Sequence, residues 1–317
     1  MRLNQFEFLV ALNSYGSFSK TAEKILISQP AISRAVKELE EELGYDILKR
    51  GKKGVEFTEK GRLVLEKAMI VMDAINEIND IEAKITGQLI GRVRIGSGSH
   101  HCSTIVLNSL INLQNKYPGL IINILREEIF NIIRNVAVNE LDIGVILLNT
   151  ATENDLLAEI KRNNIYFEEL FNEEMCIILG DHHPLAGRSR ASIHEIIRYP
   201  FVTSNRSTNS IMLNFLKQFG YQNYHKGIIN INDIGALRNF LTRSNTLAAV
   251  PKSTALESNK TFNDRLLMVL ISDYRWNCRF GWLHKKQKLS IAEKRIKEEL
   301  LLYCKRYQDG SKINIKE

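Results

Sequence analysis

Pro30 constrains the start of this chain more than any other residue. Proline has no backbone N–H to give a helix interior, so it fits a helix only in the first turn. In Ile27-Ser28-Gln29-Pro30-Ala31-Ile32-Ser33 it therefore fixes a helix start, with Ser28 at the N-cap position. Ala31, Ile32, Ala35, Val36, Leu39 and Leu43 follow at helical spacing, and Gly44 supplies the stop. Upstream, Leu3, Phe6, Leu9, Val10 and Leu12 mark one helix. Gly16-Ser17 breaks it, and Ser17 or Ser19 caps a short second helix holding Ala22, Ile25 and Leu26. Downstream, Ile47-Leu48 and Val55-Glu56-Phe57 flank Lys49-Arg50-Gly51-Lys52-Lys53-Gly54, a basic tetrad with glycines that reads as a hairpin tip. Helix, helix, capped helix and hairpin is the order of a winged helix-turn-helix, assigned to residues 1–58.

Thr58-Glu59-Lys60-Gly61 opens a long helix, assigned to residues 59–88, with Val64, Ala68, Val71, Ile75, Ile78 and Ile85 apolar. Its early spacing is heptad-like, which predicts pairing with a second copy; packing on its own chain is the alternative. Gly87 and Gly91 mark a hinge. The texture then changes to βαβαβ. Strands are expected at Val93–Ile95, Leu120–Leu125 and Ile143–Leu147, and helices at Ile105–Tyr117 and Ile129–Val138. This predicts an α/β domain with a largely parallel sheet. A second module starts near Tyr166, with core strands at Cys176–Leu179, Phe201–Thr203 and Leu247–Val250 and helices at Ile211–Phe219 and Ile234–Leu241. Lys312 to Glu317 reads as a polar tail.

The 317 residues suit two or three domains. The net charge of +7 hints at a polyanionic partner, but it is unevenly placed. Residues 1–91 carry 13 Lys and Arg against 14 Asp and Glu, whereas residues 285–317 carry 10 against 5. Any DNA-binding claim must therefore rest on local placement. The scattered Cys102, Cys176, Cys278 and Cys304 form no CxxC pair, which fits reduced thiols in a cytoplasm. No apolar run has the length of a membrane span, and the N-terminus lacks the order of a signal peptide.

The residues Phe8-Leu9, Gly16-Ser17-Phe18-Ser19, Ala22, Ser28-Gln29-Pro30-Ala31-Ile32-Ser33, Leu39-Glu40, Leu43-Gly44, Arg50, Thr58 and Gly61 together resemble the LysR-type transcriptional regulators. Further along, Arg92-Val93-Arg94-Ile95-Gly96, Tyr117-Pro118, Leu141-Asp142-Ile143-Gly144-Val145-Ile146 and His182-His183-Pro184-Leu185-Ala186 resemble the family in order. Leu48-Lys49 departs from its usual Leu-Phe, Asn139 stands where glycine is common, and His100-His101-Cys102 matches no family pattern. The resemblance implies a two-subdomain, periplasmic-binding-protein-like effector domain over residues 91–305. Subdomain I would take about 91–163 and 269–305, subdomain II about 164–268, and a tail 306–317. It also implies a cytoplasmic regulator, dimeric through the linker helix and assembling to a tetramer. Its partners would be double-stranded promoter DNA, a small effector and RNA polymerase, with no membrane.

A recognition helix presents its N-terminal turn and outer face to the major groove. Those positions are Ser28, Gln29, Pro30, Ser33, Arg34 and Lys37. Gln29 can pair with adenine and Arg34 with guanine, and Arg50, Lys52 and Lys53, with Lys49, form a wing for the flanking backbone. Arg50 has a rival role, bracing the wing through a carboxylate. For the effector, Ser97, Gly98 and Ser99 follow the first strand and lead to a helix. Thr203, Ser204 and Asn205 follow a strand of the second module, and Thr246 precedes another. These hydroxyl-rich loops favour a small polar or anionic effector. Three readings compete at His100 and His101: a plain loop, ligand contact, and a metal site with Cys102, while Cys102 could also be a redox sensor. No cofactor or metal is expected. The sequence offers no GxSxG, Walker A, GxGxxG or HExxH motif, so an enzyme is not the favoured reading.

Overall fold

The computed structural model describes the chain except residues 52–53, 80, 82–88, 150–152, 205–210, 222–223, 225–226, 256–265, 286–288 and 314–317. The head comprises α1 (Leu3–Tyr15), α2 (Phe18–Ile25), α3 (Gln29–Leu43) and the antiparallel hairpin β1 (Leu48–Gly51) and β2 (Gly54–Phe57). Ser17 caps α2, its hydroxyl accepting from the Lys20 N–H at 3.2 Å. Leu9, Leu12, Ile32, Leu39 and Ile47 are fully buried in one cluster, each worth about 1.5–3 kcal/mol of apolar burial. The buried Gln5 amide pins α1 to α3, its Nε2 donating to the Ala35 carbonyl at 3.1 Å. Glu40, near the end of α3, accepts from the backbone N–H of Ile47 at 2.7 Å and of Leu48 at 2.9 Å. The charged acceptor makes these strong bonds, and they tie the wing base to α3.

Two glycines let backbones touch. Gly54 has φ +124°, and a Cβ there would lie 2.5 Å from the Gly16 carbonyl oxygen. Gly61 is the third residue of α4 (Glu59–Asn79), and its Cβ would lie 2.0 Å from the Ile47 oxygen. That contact seats α4 on the wing base. Leu65 and Ala68 are buried, and α4 packs on α1, so its first turns do pack on their own chain. Leu63, Ile70, Ala74 and Ile78 are exposed along another line of the helix. Of the expected apolar positions, Val71 and Ile78 are left open, whereas Ala68 is buried and Val64 half-buried. The far end of the linker, with Ile85 and Gly87, lies outside the described residues.

In the larger half, β3 (Gly91–Ser97), α5 (His100–Lys116), β4 (Leu120–Arg126), α6 (Ile129–Ala137), β5 (Ile143–Asn149) and α7 (Glu153–Arg162) give the expected βαβαβ, with β3 parallel to both neighbours. Asn139 adopts φ 59°, the left-handed turn that its side chain tolerates. The sheet is mixed rather than largely parallel. Strand β6 (Ile165–Gly180) is 16 residues long. Its first part, to Glu174, runs antiparallel to β12 (Asn277–Lys285), which lies between it and β5. From Met175 it pairs instead with β10 (Ala248–Pro251), and from Ile177 with β11 (Leu266–Ile271).

Around that second part stand β7 (Arg190–Ala191), α8 (Ile193–Ile196), β8 (Phe201–Thr203), α9 (Ile211–Gln218), β9 (Ile228–Asn230) and α10 (Ile234–Arg243). The chain crosses between the two parts at Glu174–Met175 and returns through residues 272–276. The division expected at residues 164 and 268 differs because both flanking strands belong partly or wholly to the other side. At the crossing the Met175 N–H donates to the Trp276 carbonyl at 2.7 Å. Finally, α11 (Ile291–Ile313) extends well past the expected start of the tail at 306. Among the described residues no helix is long and apolar enough to cross a membrane.

Gly61→Ala should lower stability by about 1–3 kcal/mol, as overpacking does. Gly187, with nothing within 4 Å of a new Cβ, should tolerate alanine without loss. Urea unfolding midpoints of the two variants check this.

Candidate DNA-reading face and effector cleft

The expected DNA-contacting residues share one open face. Ser28, Gln29, Pro30, Arg34 and Lys37 are exposed at the start and along the outer side of α3, with Ser33 half-buried beside them. Ser28 occupies the N-cap position, yet its side chain makes no capping bond, so its hydroxyl is available to a groove. The Gln29 Oε1 accepts from the Ser19 hydroxyl at 3.3 Å, which orients its amide. Of the glutamates that crowd α3, Glu40 holds the wing base, Glu38 pairs with Arg2, and Glu41 sits 3.5 Å from Lys37. The wing is an antiparallel hairpin with Lys49 opposite Glu56. Lys52, Lys53 and the Arg50 side chain lie outside the described residues.

The effector candidates divide. A cavity of about 410 Å³ opens between the two halves of the larger domain, and Gly98, Ser99, His100, His101, Thr203 and Ser204 line it. Ser97 does not: it is fully buried, bonded to the Ser103 hydroxyl at 2.8 Å and to the Ser99 carbonyl. Thr246 is also turned inward, 2.7 Å from the Ser244 hydroxyl. Asn205 lies outside the described residues.

His100-His101-Cys102 is not a loop but the first turn of α5. Ser99 caps it, its hydroxyl accepting from the Cys102 N–H at 3.1 Å, so the helix starts five residues before its expected point. Among the described residues no group of three or more His, Cys, Asp or Glu is placed to hold a metal ion. Burial pushes the Cys102 thiol up to about 12 and also raises Cys176 and Cys278, so none is a thiolate near neutral pH.

The polar lining of the cavity includes a buried cation. Arg238 on α10 is only 5% exposed and lines the wall. The His100 imidazole is held below its usual range by burial first, then by Arg126, His101 and Arg238, which repel a proton there. Two exposed acids, Glu128 and Asp155, stand at the rim, and Arg126 reaches across to donate to the Asn232 carbonyl at 3.2 Å. The floor is apolar, through Leu147, Met175, Ile178, Val202 and Leu237. The first residues of α5 line the cavity, so the positive end of its helix dipole lies at that wall.

The family model for bacterial regulatory helix-turn-helix proteins of the lysR family matches residues 3–62, and that for the LysR substrate binding domain matches residues 86–301. The chain belongs to the LysR family. It thus combines the DNA-binding and effector-binding domains of that family's transcription regulators. A hydrogen peroxide-inducible genes activator of Haemophilus influenzae is 24% identical over 196 residues, covering 62% of each chain. A probable RuBisCO transcriptional regulator of Trieres chinensis is 25% identical over 264 residues, 80% of this chain and 82% of that one. A full-length OxyR variant from Pseudomonas aeruginosa has a TM-score of 0.61 at 17% identity, over 96% of this chain and 95% of that one, a likeness of fold.

Two cavity features of this LysR-family chain were missed in its sequence. Arg238 had a readable signal: Ile234, Leu237, Arg238 and Leu241 share one helix face, so the arginine interrupts a buried stripe. The apolar floor had none, since its residues are ordinary strand positions.

Burial lowers the proton affinity of His100, and also of His183 and His284. A depressed histidine means that the unfolded chain binds protons first as pH falls through about 6.5. Stability should therefore hold above that value and decline below it. Urea midpoints at about pH 7.5 and 5.5 check this, with the lower value expected in acid.

Proposed function

We propose that this LysR-family protein reads promoter DNA with the exposed start of α3 and the wing, and that its cleft takes a small anion with an apolar body. The observation that carries the second part is Arg238, a buried cation that lines the cavity beside its apolar floor. A guanidinium in the wall offers an anionic ligand charge-assisted hydrogen bonds, with His100 and the α5 N-terminus lining the same cavity. Thr203 and Ser204, which line the same cavity, orient it through their hydroxyls. The polar-or-anionic expectation is thereby narrowed, because the floor rewards a hydrophobic body that a purely polar solute lacks.

Self-assembly supports the DNA-binding half of the reading. The exposed line Leu63, Ile70, Ala74 and Ile78 on α4 suits a dimer of linker helices. A second apolar surface, Leu107 and Ile111 on α5 with Ile121 and Leu125 on the edge strand β4, suits the further contact a tetramer needs. Paired heads then meet two half-sites a helical turn or a multiple of it apart. An effector acts by shifting the population of arrangements and so the bend imposed on the promoter.

Arg34→Ala should cost about 1–3 kcal/mol of operator binding and erase discrimination between operator and random duplex in a gel shift. Lys49→Ala should weaken both duplexes alike and reduce the salt slope by about one unit. Arg238→Gln should remove the thermal stabilisation given by phenyl- and branched-chain monocarboxylates while leaving ligand-free operator affinity intact. Equal stabilisation by the matching amides would overturn the anionic assignment.

A further inference from the structure

His101 does something that neither DNA reading nor ligand contact requires. Its ring is 5% exposed and joins three separate parts of the domain. It stands on the first turn of α5, against the edge of Phe280 on β12. Its Nε2 lies 3.2 Å from Glu173 Oε1, and its Nδ1 lies 2.7 Å from the Thr254 hydroxyl. Glu173 sits one residue before β6 passes from one sheet partner to the other, and its second oxygen accepts from the Ser253 N–H at 3.0 Å. Ser253 and Thr254 follow β10, on the far wall of the cleft. One imidazole and one carboxylate thus span α5, the crossing strand and the segment after β10.

We propose that His101 is a positioning residue, clamping the cleft walls together through Glu173 and Thr254. A neutral ring with its proton on Nε2 satisfies the whole chain: the Thr254 hydroxyl donates to Nδ1, Nε2–H donates to Glu173, and Ser253 N–H fills the other oxygen. All three bonds hold only in the arrangement described, so any opening at the crossing breaks at least one. His100, the preceding residue, faces the cavity. The turn that meets a ligand is therefore the turn that carries the clamp. The link to effector response rests on the proposed role of the cleft, but the clamp itself exists without ligand.

Amide hydrogen exchange of the ligand-free full chain tests it, read at residues 253–254 and at β5 as an internal reference. His101→Ala and Thr254→Val should each speed exchange at 253–254 at least tenfold, with β5 unchanged. His101→Gln, whose amide offers an acceptor beside a donor, should restore slow exchange. Unchanged exchange in Thr254→Val, or no rescue by Gln, overturns the clamp. If His101→Ala fails to fold, the Thr254→Val and His101→Gln pair alone decides. Since no ligand is added, a carboxylate panel that gives no stabilisation refutes the effector assignment and not the clamp.

Discussion

The strand β6 belongs to two sheets at once, and the larger domain is arranged around that fact. Its backbone must satisfy partners on both sides of Glu174 without a break, because a buried, unpaired N–H or carbonyl costs about as much as a lost hydrogen bond. β12 provides the partner before the crossing and β10 and β11 the partners after it. Where the partners change, the walls part on one side of the strand, although a single core that includes Phe171, Met175, Ile177 and Leu179 runs on across the change. A cavity between the walls is the result, and Met175 at the change-over lines it. The cleft is a consequence of strand pairing, and the residues around it were placed by topology before any ligand chemistry acted on them.

That origin explains what was legible in the sequence. The head could be read from local rules: Pro30 fixes a helix start, Gly16 and Gly44 end helices with positive φ, and apolar residues recur at a helical period. The βαβαβ run was equally local. The mixed sheet was not, because the pairing of β12 with β5 and β6 joins residues more than a hundred positions apart, and no local pattern encodes it. The start of α5 was hidden for a different reason. Gly96-Ser97-Gly98-Ser99 has the composition of a loop, yet Ser97 ends a strand and Ser99 caps a helix, each with its hydroxyl bonded locally. Serine favours both caps and loops, so composition alone could not separate them.

The site candidates followed the same division. Ser99, His100 and His101 line the cavity because they open α5, while Ser97, only two residues earlier, points into the core. The change of element separates them, since Ser97 is the last residue of β3 and Ser99 is the cap of α5. Glu173 carried no signal of its own in a segment rich in acids, and only the fold brings it to His101.

The two bonds from Glu40 to the wing base have a reach beyond the head's own stability. With Ile47 and Leu48 fastened to the last turn of α3, and Gly54 lying on Gly16, helix and hairpin form a caliper of fixed span. A caliper measures. On the proposed reading, a duplex must offer a major groove and a flanking backbone at the separation the protein holds, so sequences whose groove width deviates would pay in their own deformation. Part of the operator would then be selected by the shape of base pairs that no side chain touches.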